Sequence, residues 1–262
     1  MNISTIVLIA GSIAVLYFSI KLFSILIITI AIYYLLRKKE MFEHSIEFLS
    51  DSQCSDLIHS DTDGFIQSMS EVDIRARNAN DKDHYKTIAS GLCRSFSKDD
   101  KERIVRLVKS IKPVDLTSFG INMDKWNKIH LKFAFSEYED QYPHTRGDVI
   151  IFNSRTLNRS DSDVINTIIH EKVHIYQKMY PNDVEKYLSS IGFVKMVPIS
   201  AYPLGRLNPD TDRMVYKDGS GKVYIAEYNT SEPSGLWDIN SSAEGEHPWE
   251  VMAYKIADIH TN

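Results

Sequence analysis

Residues 160–181 read Ser160-Asp161-Ser162-Asp163-Val164-Ile165-Asn166-Thr167-Ile168-Ile169-His170-Glu171-Lys172-Val173-His174-Ile175-Tyr176-Gln177-Lys178-Met179-Tyr180-Pro181. The Ser160 to Asp163 run supplies capping residues, and Pro181 stops a helix that starts there. At 100° per residue, Ile165, Ile169, Val173 and Tyr176 fall on one flank, while Val164, Ile175 and Met179 fall on another. The helix is therefore apolar on most sides and is expected to be buried. Yet it carries His170, Glu171 and His174 on one strip. Side chains four apart on a helix lie nearly one above the other, so the two imidazoles can share one tetrahedral Zn²⁺. A metal also satisfies polar groups that burial would otherwise leave costly. Glu171, about 100° round from His170, sits where it can act as general base on a metal-bound water without being a ligand.

Two imidazoles do not complete a catalytic zinc site, which takes about three protein ligands and a water. The pattern H-E-x-x-H-x-x-G-x-x-H is excluded, because Gln177 and Tyr180 stand at its Gly and third His. Farther on, His247-Pro248-Trp249-Glu250-Val251-Met252-Ala253 begins a second helix with Pro in its first turn. Glu250, Ala253 and Ala257 share one face there, and the small alanines allow close approach to the first helix. The expected ligands are His170, His174 and Glu250, with Glu244, Glu246 and His247 as rivals for the third place. Gln177, one turn beyond His174, is placed to support a ligand from behind.

The run H-E-x-x-H-x-x-Q followed by a distal P-x-E-x-x-A helix resembles the gluzincin branch of the zincin metallopeptidases, over residues 128 to about 258. The resemblance implies an α+β fold with a small mixed or antiparallel sheet. It also implies a Zn²⁺ cofactor, peptide-bond hydrolysis with Glu171 as base, and a strand along the cleft that takes an extended peptide by main-chain hydrogen bonds. Lys128 to Phe135 alternates in strand fashion, and Asp148 to Phe152 is a short apolar run. The Glu137 to Arg146 stretch between them reads as a polar loop, whose His144 could face the cleft but reads as plain surface and is left out of the site. Tyr254 and Tyr202 are candidates for a donor to the transition-state oxyanion.

Residues 3–36 hold one charge, Lys21, and no Pro. That exceeds the roughly 18 apolar residues a membrane span needs and is too long for a cleavable signal. A bilayer is thus an expected partner, with one span favoured and a short hairpin near Lys21 as the alternative. Arg37-Lys38-Lys39 predicts a cytoplasmic position for the domain on its C-terminal side. Three triplets beginning at Asn158, Asn229 and Asn240 would accept glycans on the other side. Cys54 and Cys93 alone form no disulfide framework, which fits a reducing compartment. A net charge of −5 and a pI near 6.0 argue against nucleic acid as a partner.

The expected organisation is a membrane anchor over 1–39, a helical linker layer over 40–115 and a zincin-like domain over 116–262. Short helices are expected at Met41 to Leu49, Tyr85 to Phe96 and Lys98 to Ile111. A hairpin is expected across residues 213–217 and 222–226, and with the Asn208-Pro209-Asp210 turn it falls between the two metal-bearing helices. A rival to the hydrolase is a membrane-anchored scaffold whose zinc only staples two helices.

Overall fold

The computed structural model describes residues 21–33, 46–240 and 246–261, which fall into two compact units divided between residues 45 and 46. In the first, residues 21–33 form helix α1. Among the described residues no helix is long and apolar enough to cross a membrane. The expected span over 3–36 lies largely outside them.

The second unit begins with β1 (Ile46–Phe48), α2 (Asp51–Ser60), α3 (Glu71–Ala76), α4 (Lys82–Gly91), β2 (Cys93–Arg94) and α5 (Lys98–Ser110). It continues with α6 (Met123–Trp126), β3 (Leu131–Ser136), β4 (His144–Arg146), β5 (Val149–Phe152), α7 (Ser154–Leu157), α8 (Asp161–Met179) and α9 (Pro181–Ser190). It closes with β6 (Val194–Pro198), β7 (Met214–Lys217), β8 (Val223–Tyr224) and α10 (Pro248–Thr261). The fold is α+β, with one mixed and one antiparallel sheet.

The mixed sheet runs β1-β3-β5-β4, parallel except for β4, and β2 pairs antiparallel with the far end of β3. Alternate residues serve two cores. Phe133, Ile150 and Phe152 pack with α5, α8 and α10, whereas Ala134, Val149 and Ile151 pack with α2 and α4. Burial on both faces explains why 149–152 is apolar without a break. The apolar girdle of α8 has the same cause: Val164, Ile168, Val173, Ile175 and Tyr176 are fully buried among the sheet, α5, α9 and α10. Met179 is the exception, exposed at the end of the helix. Ser160 caps α8 as expected, its hydroxyl accepting from the Asp163 amide.

Three expectations for the first third of the chain are corrected. Residues 41–45 lie outside the described residues, and Ile46 to Phe48, expected to be helical, form β1. The parallel register of β1 on β3 supplies main-chain partners that outweigh local helix preference. The helix expected at Tyr85 to Phe96 is instead α4, ending at Gly91, with β2 after it. Through β1 and β2, the stretch expected as a separate linker layer belongs to the same sheet as β3, β4 and β5, and residues 46–262 form one unit.

The cysteines also differ from expectation. Cys54 on α2 and Cys93 on β2 form a disulfide, with Cα atoms 5.9 Å apart. Their separation of 39 residues hides this, because proximity arises only once β2 docks on β3 beneath α2. Replacing both cysteines with serine is expected to lower the unfolding free energy by about 3 kcal/mol, mostly by freeing the unfolded chain. Urea denaturation of the unreduced parent and the double variant checks this.

Candidate metal centre

Helix α10 lies against α8 through Ala253 and Ala257, both fully buried, and this contact carries Glu250 to the two imidazoles. His170 Nε2 and His174 Nε2 are 3.0 Å apart, and Glu250 Oε2 is 3.2 Å from the first and 3.3 Å from the second. Ligand atoms about 2.0–2.1 Å from a tetrahedral zinc stand roughly 3.3 Å from one another, so the three observed separations are close to the edges of such a tetrahedron. Among the described residues this is the group of three side chains that could hold a metal ion. The donor set, two neutral imidazoles and a carboxylate, suits Zn²⁺.

The groups behind the donors fix their roles. Gln177, fully buried, donates its amide N–H to the Trp249 carbonyl at 3.0 Å, and its Oε1 lies 2.8 Å from His174 Nδ1. A carbonyl oxygen can only accept, so the amide must face Trp249 with its NH₂ and His174 with its oxygen. Nδ1 therefore carries a proton, and Nε2 is the atom turned towards His170 and Glu250, able to ligate a cation once it gives up its own proton. Glu250 is held likewise: Oε1 accepts from Asn208 Nδ2 at 2.7 Å, leaving Oε2 for the imidazoles. A Gln177→Leu substitution is expected to weaken zinc binding about 10–100-fold, read by competition with a chromogenic chelator.

Glu171 is 2 % exposed, and its Oε2 has no hydrogen-bond partner among the described residues. Burial, then the charge of Asp210, pushes its carboxyl well above the usual range, and the nearby Glu250 adds to this. A divalent cation at the three donor atoms would be the countercharge this orphaned oxygen lacks, and would draw the carboxyl back towards ionisation. Burial disfavours a charged His174, but the Glu250 carboxylate outweighs it and pushes the imidazole up to about 9. A cation there competes with that proton.

His170, Glu171 and Glu250 line an open cleft of about 710 Å³, whereas His174 is fully buried behind them. Tyr254 lies on the same cleft, with its ring 4.5 Å from His170. Burial and Glu250 push its phenol up to about 12, so it keeps its proton as a donor. Tyr202 ends a short 3₁₀ turn and does not line the cleft. Of the rival ligands, Glu246 lines the cleft mouth, His247 bonds instead to the Met214 carbonyl and Asp212, and Glu244 lies outside the described residues.

Two groups exceed what the sequence pattern showed. The expected loop before Arg146 contains β4, the edge strand of the mixed sheet, and His144 on it is a buried cleft residue rather than plain surface. Its Nδ1 is 3.0 Å from the Tyr142 carbonyl, and burial holds its imidazole below the usual range, so it stays neutral. The second group is the 207–211 loop. Leu207 N–H donates to Asp73, and Asp210 Oδ1 accepts from both the amide and the hydroxyl of Thr145 on β4. Asn208 between them is thereby positioned to hold Glu250. The Asn-Pro-Asp turn signalled a fixed loop, but nothing in its sequence pointed to Glu250. Comparison of the chain with protein-family models, curated proteins and solved structures gives no match.

Proposed function

We propose that this chain is a zinc-dependent peptide hydrolase tethered to a membrane by residues 3–36. The observation that carries the reading is the convergence of His170, His174 and Glu250 at tetrahedral spacing on the wall of an open cleft, beside a buried glutamate that ligates nothing. Zinc, when bound, supplies an acidified water and polarises a carbonyl. Glu171 takes the water proton on its carboxylate and passes it to the leaving amine. Gln177 and Asn208 hold two of the donors in place. Tyr254 is a proton-bearing donor beside the metal-binding side chains, whereas the outward amide and carbonyl of Thr145 on β4 are already taken by Asp210 and Lys178. A site that only stapled two helices would be closed by a fourth protein ligand, and the openness of this cleft favours catalysis over that scaffold reading.

The side of the membrane carries two opposed signals. Arg37-Lys38-Lys39 favours the cytoplasm, whereas a disulfide favours an oxidising compartment, because cytosolic thiols are kept reduced. The function is tested by incubating the zinc-loaded full chain with a broad peptide library. Cleavage that a chelator abolishes and added Zn²⁺ restores is the expected result. No cleavage of any peptide by protein that holds stoichiometric zinc would leave only the scaffold.

A further inference from the structure

Three arginines line the cleft, and their situations differ. Arg213 is engaged, donating to the Ser68 hydroxyl and the Asp63 carbonyl, and Arg159 lies exposed at the rim. Arg206 is half-buried, its Nε is enclosed without a hydrogen-bond partner, and among the described residues no carboxylate pairs with it. Of the carboxylates on the same cleft, Glu139 is bonded to Arg77, Asp210 to Thr145, and Glu250 to Asn208 and the imidazoles, and neither Glu171 nor Glu246 forms an ion pair with Arg206. An N–H withdrawn from water without an acceptor is unfavourable, so the enclosed Nε is suited to an acceptor that arrives from outside.

The backbone under Arg206 is unusually constrained for a loop. Its N–H donates to the Ala226 carbonyl at 2.8 Å, and Tyr228 N–H donates to Leu204, so residues 204–206 pair with 226–228 like a short ladder. Gly205 is packed so closely that a Cβ there would come within 2.8 Å of the Ile199 side chain. On the other side, Leu207 is tied through its N–H to Asp73 and through its carbonyl to Arg77. A rigid backbone carrying an unpaired guanidinium on a cleft wall is how a preorganised anion anchor is built. Tyr142 and Trp237, both exposed aromatics, line the same cleft, and Arg, Trp and Tyr are the side chains that dominate peptide binding.

We propose that Arg206 anchors a carboxylate of the bound peptide, so that the cleft selects acidic substrates. This rests on the peptidase reading for the nature of the ligand but not for the anchor. The planar fork of Arg matches both oxygens of a carboxylate. That carboxylate is either an Asp or Glu side chain or the free end of the peptide chain.

The test uses the zinc-loaded full chain carrying Glu171→Gln, so that bound peptide is not consumed. Fluorescent peptides identical except for Glu, Gln or Lys at one position, each with a free or an amidated C-terminus, are titrated by anisotropy. Carboxylate-bearing peptides are expected to bind about tenfold more tightly than neutral ones. The advantage should disappear with an added Arg206→Gln and survive in part with Arg206→Lys, which keeps the charge but loses the fork. An advantage that follows the Glu position assigns the side chain, and one that follows the free end assigns the terminus. Equal affinity for all the peptides, whatever the side chain and whether the C-terminus is free or amidated, or an advantage untouched by both Arg206 variants, overturns the anchor. The same peptides are given to the chain with Glu171 intact. Turnover without carboxylate preference overturns the anchor alone, whereas Arg206-dependent binding without turnover of any peptide overturns the hydrolase alone.

Discussion

Replacing Glu171 with Gln is expected to lower kcat on cleaved peptides by about 10²–10⁴-fold while leaving bound zinc unchanged. The amide keeps the shape of the carboxyl but cannot accept a proton, and Glu171 is not one of the three converging donors. Metal analysis and initial rates on the same preparation separate the two effects. A variant that retains zinc and most of its activity removes Glu171 from the role of base. Loss of zinc together with activity would instead make Glu171 part of the metal's support. The substitution is predicted to be well tolerated by the fold, since the amide fills the same buried space and no ion pair holds the carboxyl among the described residues.

The second large effect is on stability. Arg77→Met is expected to cost about 3–5 kcal/mol at neutral pH, because it strands a buried carboxylate. Arg77 lies at the centre of a buried network. Its Nε and Nη2 reach both oxygens of Glu139 at 2.7 and 2.9 Å, Nη2 also donates to the Leu207 carbonyl, and Nη1 donates to Asp73. Tyr85 donates its hydroxyl to Glu139 from the other side. Burial opposes ionisation of Glu139, yet the charge and hydrogen bonds of Arg77 prevail and hold it at about 2, below its ordinary 4.5. A depressed carboxyl contributes stability that is fully present above pH 4.5 and is lost as pH falls through about 2. Without Arg77 the same carboxyl is raised instead, and protonation relieves it. The deficit of the variant should therefore be largest above pH 5 and shrink between pH 5 and 2, which urea titrations across that range would show. A deficit constant with pH would mean that lost packing, and not charge, is responsible. The variant should also bind zinc less well, since Arg77 steadies Leu207 beside the Asn208 that holds Glu250.

Glu139 and Asp140 also show what a local pattern hides. Both adopt left-handed backbone, at φ 57° and 50°, which costs non-glycine residues about 1–2 kcal/mol each. Nothing in Glu137-Tyr138-Glu139-Asp140 signals this. The conformation persists because it delivers the Glu139 carboxylate to Arg77, 62 positions away. Ile46 to Phe48 and Cys93 are similar cases. Their strands form because β3 is there to receive them, and the disulfide is a consequence of that docking.

The chain's own order was enough for whatever depends on spacing along a helix or strand. Capping by Ser160 and the stop at Pro181 follow from local residue chemistry, and the placing of His170 and His174 one above the other follows from the 3.6-residue period. Even the approach of Glu250 to the two imidazoles was legible, because alanines at 253 and 257 mark a helix face suited to close contact. What depends on distant segments meeting was decided by tertiary structure alone: Asn208 on Glu250, His144 in the cleft, Cys54 on Cys93, and a guanidinium at Arg206 left without an anion. The physical reason is that a side chain's partners across the fold are set by where packing places whole elements, and no period within a single element encodes that placement.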